Sequence, residues 1–435
     1  MNFQTAVHKF GFLVLVTLVA ACPFAINRSF EKPTVSQQAF IVFSVTSALV
    51  VLLPLLFLSG QITFRPGRTV YYILLLLAMT AISALMCKNP AFSIYEMIYL
   101  VPLILYYFAF ICLDIRESDL EKAAVFLSII TVPIVIYALM QNYNIDILGY
   151  EKAGVKEKRK IASFFGNPNF MASYISPILF FSLAGLVKTK NRIIRFVLGL
   201  ICVSVAFCLI IAGTRAAWLG IATGLAISLV LFIKSGVIKT KYFRRGVIIA
   251  VVLAMLLVLF FMIPGVQLPF DLHERVFSMH ELYGRLFLWQ IGKNMFLDHP
   301  FTGVGFHRYP VELNEYALEF FSTNPRSDAY KIFAEKGKIQ KFMHNEYYEI
   351  LVEIGVFGLL FFLGIIISTI REGVRKINSN DADLKIMSFR IFIIGSLFVM
   401  LMDAFWGFPF QLPCSGVLFW FILAMIHKLG EREKA

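Results

Sequence analysis

The polar side chains suited to chemistry cluster in four stretches: FFGNPNFMASY at 164–174, GTRAAWLG at 213–220, ERVFSMHELYGRLFLWQ at 274–290 running on to DHPFTGVGFHRYP at 298–310, and MHNEYYEILVEIGVFGLL at 343–360. His344 stands at the front of the last, and a neutral imidazole with an ordinary pKa of about 6.5 can take a proton from a hydroxyl near neutral pH. Asn345 and Tyr347 beside it are candidate substrate-binding groups, while Glu346, two residues on, points to a different helix face and is a poor partner. Arg215 and Arg285 are always-charged, fork-shaped donors of the kind that grips phosphate, and Gly213 permits close backbone approach beside Arg215. With Arg275 as a third, they suit a lipid-linked pyrophosphate. In Asn167-Pro168-Asn169, one asparagine and the proline read as a helix start, leaving the second asparagine for sugar or phosphate.

Each of these residues also has a plainer reading. Arg215 sits at a hinge between apolar runs, where an arginine can snorkel to the interface. Arg275 and Arg285 taken singly read as solvated charges, and His344 as an interfacial polar residue. Asp298-His299-Pro300 reads as a helix end. His273, His280 and His307 lack zinc-binding spacing, and the outer loops hold no D-x-D pair, so no metal and no cofactor are expected. The six cysteines fall in or at the ends of apolar runs and read as small core residues.

The elements that position these groups are membrane helices. The chain is 59% hydrophobic and 15% charged, with mean hydropathy +0.77, which excludes a soluble globular class. Twelve apolar runs predict spans at about 10–26, 38–59, 69–87, 93–113, 122–141, 169–187, 195–212, 216–233, 246–264, 347–370, 387–405 and 413–428. The first lacks a cleavage site and reads as a retained helix. The net charge of +13 is concentrated in alternate short loops, which orients the chain with both termini cytoplasmic and makes nucleic acid an unsuitable partner. Lys152 to Lys160, a basic stretch on the outer side, runs against that assignment. Intramembrane acids read as almost absent, with Glu96 and Asp403 at or near span ends. Residues 1–264 then hold spans 1 to 9, 265–346 form a large outer loop folded as a helical cap, and 347–435 carry spans 10 to 12 and a short tail.

The succession of GTRAAWLG, GRLFLWQIGKNMFLDHPFTGVGFHRY, a polar cap and HNEYYEILVEIGVFGLL resembles the O-antigen ligase and Wzy-type polymerase superfamily, which includes bacterial protein O-oligosaccharyltransferases. The likeness covers about 160–360, with FFGNPNFMASY as a further segment. It implies a metal-independent GT-C-type glycosyltransferase of the bacterial inner membrane, acting on the periplasmic face with an undecaprenyl-pyrophosphate-linked glycan as donor. His344 would activate the acceptor hydroxyl, and Arg215 and Arg285 would hold the pyrophosphate, with Arg275 less certainly a third. A ligase would use lipid A-core as acceptor, a polymerase another lipid-linked repeat, and a protein transferase a Ser or Thr hydroxyl; the ligase is favoured. Outside the enzyme class stands a transporter of lipid-linked glycans, whose arginines would bind the head group without reaction.

Overall fold

Lipid offers the backbone no hydrogen-bond partner, so long apolar runs satisfy their peptide groups internally as helices. The computed structural model describes residues 3–27, 29–30, 32–60, 64, 66–149, 161–237, 279–323, 342–377 and 383–431, and these contain thirteen α-helices and no strand. They are α1 (Phe3–Ala21), α2 (Pro33–Ser59), α3 (Arg68–Met86), α4 (Pro90–Ile111), α5 (Glu117–Asn142), α6 (Pro168–Lys188), α7 (Arg192–Ala212), α8 (Arg215–Lys234), α9 (Met279–Asp298), α10 (Tyr309–Thr323), α11 (Glu346–Ile377), α12 (Leu384–Asp403) and α13 (Pro413–Gly430). Eleven of them, all but α9 and α10, are long and apolar enough to cross a bilayer. The protein is an all-α integral membrane protein. Eleven of the twelve spans read from the sequence are present with ends shifted by a few residues; the ninth, 246–264, lies outside the described residues, as do Arg275 and Lys152 to Lys160.

Local chemistry sets the helix ends. Asn89, Asn167 and Asn191 cap α4, α6 and α7 by accepting from Phe92, Asn169 and Ile193. Proline opens α2, α4, α6 and α13, where its missing N–H is harmless.

The interior is built around α12, which runs between α6 and α8, and α13, which is buried along almost its whole length. Small residues let α8 and α12 approach: a Cβ added at Gly220 or Gly224 would lie 2.8 Å from the carbonyl oxygen of Val399 or Gly395. α7 is peripheral, with Ile193, Phe196, Leu200, Val203, Phe207 and Ile210 forming an exposed stripe at three- and four-residue spacing that suits lipid. All six cysteines are free; Cys22 and Cys414 bring their sulfurs to 3.2 Å inside the core as a thiol hydrogen bond.

α9 and α10 are fastened to one end of this bundle. Lys88, in the turn between α3 and α4, lies 2.9 Å from Glu315 and 3.5 Å from Glu312 of α10. Arg308, buried and paired with Glu312, donates to the Asn89 carbonyl. On the other side, α9 packs against α11.

Candidate functional site

The site at this end is organised by a break in α11. Gly355 adopts φ 77° and ψ −176° within an otherwise helical run, so neighbouring peptide groups lose their helical partners. The segment after α9 supplies replacements: the N–H groups of Val304 and Gly305 donate to the carbonyls of Val352 and Glu353 at 2.9 and 3.1 Å, and Val356 N–H donates to Pro300. Ser83 of α3 adds its hydroxyl to the Glu353 carbonyl at 2.7 Å. So close a backbone contact needs glycine on both strands of the chain. A Cβ at Gly303 (φ 70°) would lie 2.2 Å from the Glu353 carbonyl carbon, and one at Gly355 the same distance from the Phe301 oxygen. Two of the four stretches, FTGVG and EIGVFG, are thus one interlocked unit.

Below the break, Glu346, Glu349 and Glu353 share one face of α11 and are almost wholly buried. Each carboxylate accepts a backbone N–H from a different segment. Glu346 takes Phe410 (3.2 Å) from the turn between α12 and α13, Glu349 takes Met343 (3.0 Å), and Glu353 takes Tyr309 (3.1 Å) at the start of α10. Gln411 donates its side-chain amide to Glu349 at 3.1 Å. The expectation that acids are almost absent from the membrane-spanning helices is therefore corrected: three of them pin irregular backbone that would otherwise be unsatisfied at this depth.

That framework holds His344. Its residue is in the left-handed region (φ 55°), and both neighbours are pinned. Met343 donates its N–H to Glu349 and accepts the Trp289 indole N–H through its carbonyl (3.0 Å), while Asn345 caps α11 by accepting from Tyr348 N–H (3.0 Å). The Tyr348 hydroxyl returns to the Trp289 carbonyl at 3.0 Å, which locks α9 against the histidine segment. Arg285 lies one turn before Trp289 on α9. Burial, and then the positive charge of Arg285, push the His344 pKa down to about 4, so the imidazole is neutral throughout the physiological range. Its ring stands edge-on to Phe408 at 5.2 Å, and Phe408 stacks on Phe342 at 4.1 Å and meets Phe170 of α6 at 5.6 Å.

Arg215 begins α8, half-buried, straight after the left-handed Gly213. The contacts of Gly220 with Val399 and of Gly224 with Gly395 set an antiparallel register. Continued for one more turn, that register brings Arg215 level with Asp403 and Ala404, whose carbonyl accepts Glu346 N–H at 2.9 Å. Asn167 and Asn169 open α6 at the same end: the first serves as the cap and the second has an exposed side chain. Tyr347 donates its hydroxyl to the Leu401 carbonyl at 2.7 Å and packs on Phe405, so it braces α11 against α12. The structure thus gathers His344, Arg285 and Asn345 directly and brings Arg215, Asn167, Asn169 and Tyr347 to the same end. Thr214 Oγ1, Asp403 Oδ2 and Gln411 Oε1 are buried there without a hydrogen-bond partner among the described residues, polar atoms of the sort that a ligand or water satisfies.

Sequence reasoning passed over Glu349 and Glu353. Their spacing from Glu346, three and seven residues, was a readable signal of one polar face on an apolar helix. Among the described residues no three His, Cys, Asp or Glu side chains gather as metal ligands.

Residues 198–363 match the O-antigen ligase family model, a stretch that runs from α7 through His344 and the Gly355 break. The match is to the superfamily whose motifs the sequence resembles, and it indicates a membrane glycosyltransferase of the ligase or polymerase type. No curated protein matches the chain significantly.

Proposed function

We propose that the chain moves a glycan from an undecaprenyl-pyrophosphate carrier to an acceptor hydroxyl, most specifically O-polysaccharide to lipid A-core, on the periplasmic face of the bacterial inner membrane. The observation that carries this reading is His344, clamped between two pinned neighbours with the charge of Arg285 acting on it, inside the segment that matches the O-antigen ligase family.

In this reading the acceptor oxygen attacks the anomeric carbon, the bond from that carbon to the phosphate oxygen breaks, and the acceptor proton passes to His344. Arg285 and Arg215, with Arg275 as a further candidate, take up the negative charge on the departing pyrophosphate, the role a metal plays in other phosphate-leaving reactions. A docked pyrophosphate offsets the Arg285 charge, the smaller of the two causes that weaken His344 as a base, so the base strengthens when donor is present. Asn167, Asn169 and Asn345 offer amide groups to the sugars. The basic loops at the opposite end support cytoplasmic termini.

The test is a lipopolysaccharide gel from a strain lacking the gene, complemented with wild type or His344→Ala. Loss of the whole ladder with accumulation of lipid-linked polymer, uncorrected by His344→Ala, supports the ligase. Core bearing a single repeat points to a polymerase instead. An unchanged ladder overturns both, and retained transfer by His344→Ala removes the base.

A further inference from the structure

A groove of about 950 Å³ opens at the end of the bundle opposite His344, between the start of α3 and the last turns of α11. Its wall is apolar, made by Tyr72, Ile367, Ile370 and Val374, and Gly364 gives the Tyr72 ring its place, since a Cβ there would lie 2.4 Å from it. Three guanidiniums, Arg68 from α3 and Arg371 and Arg375 from α11, stand on its rim. Arg371 and Arg375 are four residues apart and so share a helix face, an arrangement that mutual repulsion disfavours unless an anion lies between them. Among the described residues no ion pair engages any of the three. The groove's one carboxylate, Glu372, holds Oε2 3.3 Å from His427 Nδ1 and sets its other oxygen beside Gly67.

We propose that this groove is a binding site for an anionic phospholipid of the adjacent leaflet. The headgroup phosphate lies among Arg68, Arg371 and Arg375, where a guanidinium donates paired hydrogen bonds to phosphate oxygens. An acyl chain follows the wall past Ile367, which is 49% exposed and continues into the outward face of α11 with Leu360. That continuity of charged rim and lipid-facing wall fits an amphiphile rather than a free phosphate. Basic pockets between helices at the membrane surface select anionic headgroups in this way. The site is separate from glycan transfer and stands whether or not that reading holds.

The experiment is native mass spectrometry of the full chain in a mild detergent, titrated with phosphatidylglycerol and, in parallel, phosphatidylcholine. Wild type should retain phosphatidylglycerol preferentially, and Arg371→Ala/Arg375→Ala should weaken that retention by about thirtyfold, from roughly 1 kcal/mol for each basic residue. Arg68→Ala, on the other helix, should weaken it less, and Lys188→Ala/Lys190→Ala, at the turn between α6 and α7, should leave it unchanged. Equal loss in that control pair, equal retention of both lipids, or displacement by an equal concentration of inorganic phosphate would each overturn the proposal. A monodisperse size-exclusion profile identifies variants that remain folded.

Discussion

Two clusters of charge at opposite ends of the helix bundle are handled in opposite ways. At the His344 end, three carboxylates are buried and face inward, each accepting an N–H from a separate stretch of irregular backbone. At the other end, Arg68, Arg371 and Arg375 are exposed, beside helices that simply stop. The difference follows from what each end must do. Irregular backbone at membrane depth has to find hydrogen-bond partners within the protein, whereas a helix leaving the bilayer finds water. These three acids are therefore structural where loops dip into the bundle, and these three arginines are interfacial where the helices end.

The largest effect should come from the group the buried framework serves. His344→Ala should lower glycan transfer by roughly 10²- to 10⁴-fold, the range of general-base catalysis, while the protein stays folded in detergent with only a small change in melting temperature. A loss of folding equal to the loss of transfer would make His344 a structural residue. Next comes the interlock: Gly303→Ala or Gly355→Ala places a Cβ on a carbonyl group at positive φ and should cost roughly 2–5 kcal/mol in thermal or denaturant unfolding. Wild-type stability in either variant would mean the two glycines do not carry the contact.

Glu349→Leu leaves the Met343 N–H and the Gln411 amide unsatisfied, which should cost about 1–3 kcal/mol and reduce transfer through displacement of His344. Glu349→Gln keeps an acceptor and should lie between. If both variants transfer glycan at the wild-type rate, the carboxylate does not position the histidine.

The pH response separates the ends further. Because the folded pKa of His344 lies near 4, below the ordinary value of about 6.5, the folded state binds fewer protons in that window. The contribution of this group to stability is thus complete above about pH 6.5 and is lost as pH falls toward 4. His344→Gln should flatten that part of the stability profile, and an unchanged profile would show that the histidine is not depressed. The smallest effect is expected at the solvated end, where Arg371→Ala should alter stability by less than about 0.5 kcal/mol in detergent free of anionic lipid.

Hydropathy alone located the eleven described spans, and the reason is physical: each crossing must satisfy its own backbone, so helix existence is a local property that neighbouring residues decide. The cap at Asn167 was legible for the same reason, whereas Gly213, read as allowing close backbone approach, proved to be the cap of α7. His344 and Arg285 stood out as polar residues beside apolar runs. What remained hidden was which face of α11 meets protein and which meets lipid. The spacing of Glu346, Glu349 and Glu353 was present in the sequence, yet a buried carboxylate is tolerated only where other groups donate to it, and while Met343 lies close by, Phe410 and Tyr309 come from turns 64 and 44 positions away.

Sequence by itself therefore determined the all-helical membrane fold and the identity of the polar groups at one end, since both rest on contacts within a turn or two of helix. Tertiary structure alone decided that Gly303 interlocks with Gly355, that α9 docks through Trp289 to bring Arg285 beside His344, and that the register of α8 on α12 lifts Arg215 to the same level. Those contacts join residues tens to hundreds of positions apart, and only close packing between helices selects them.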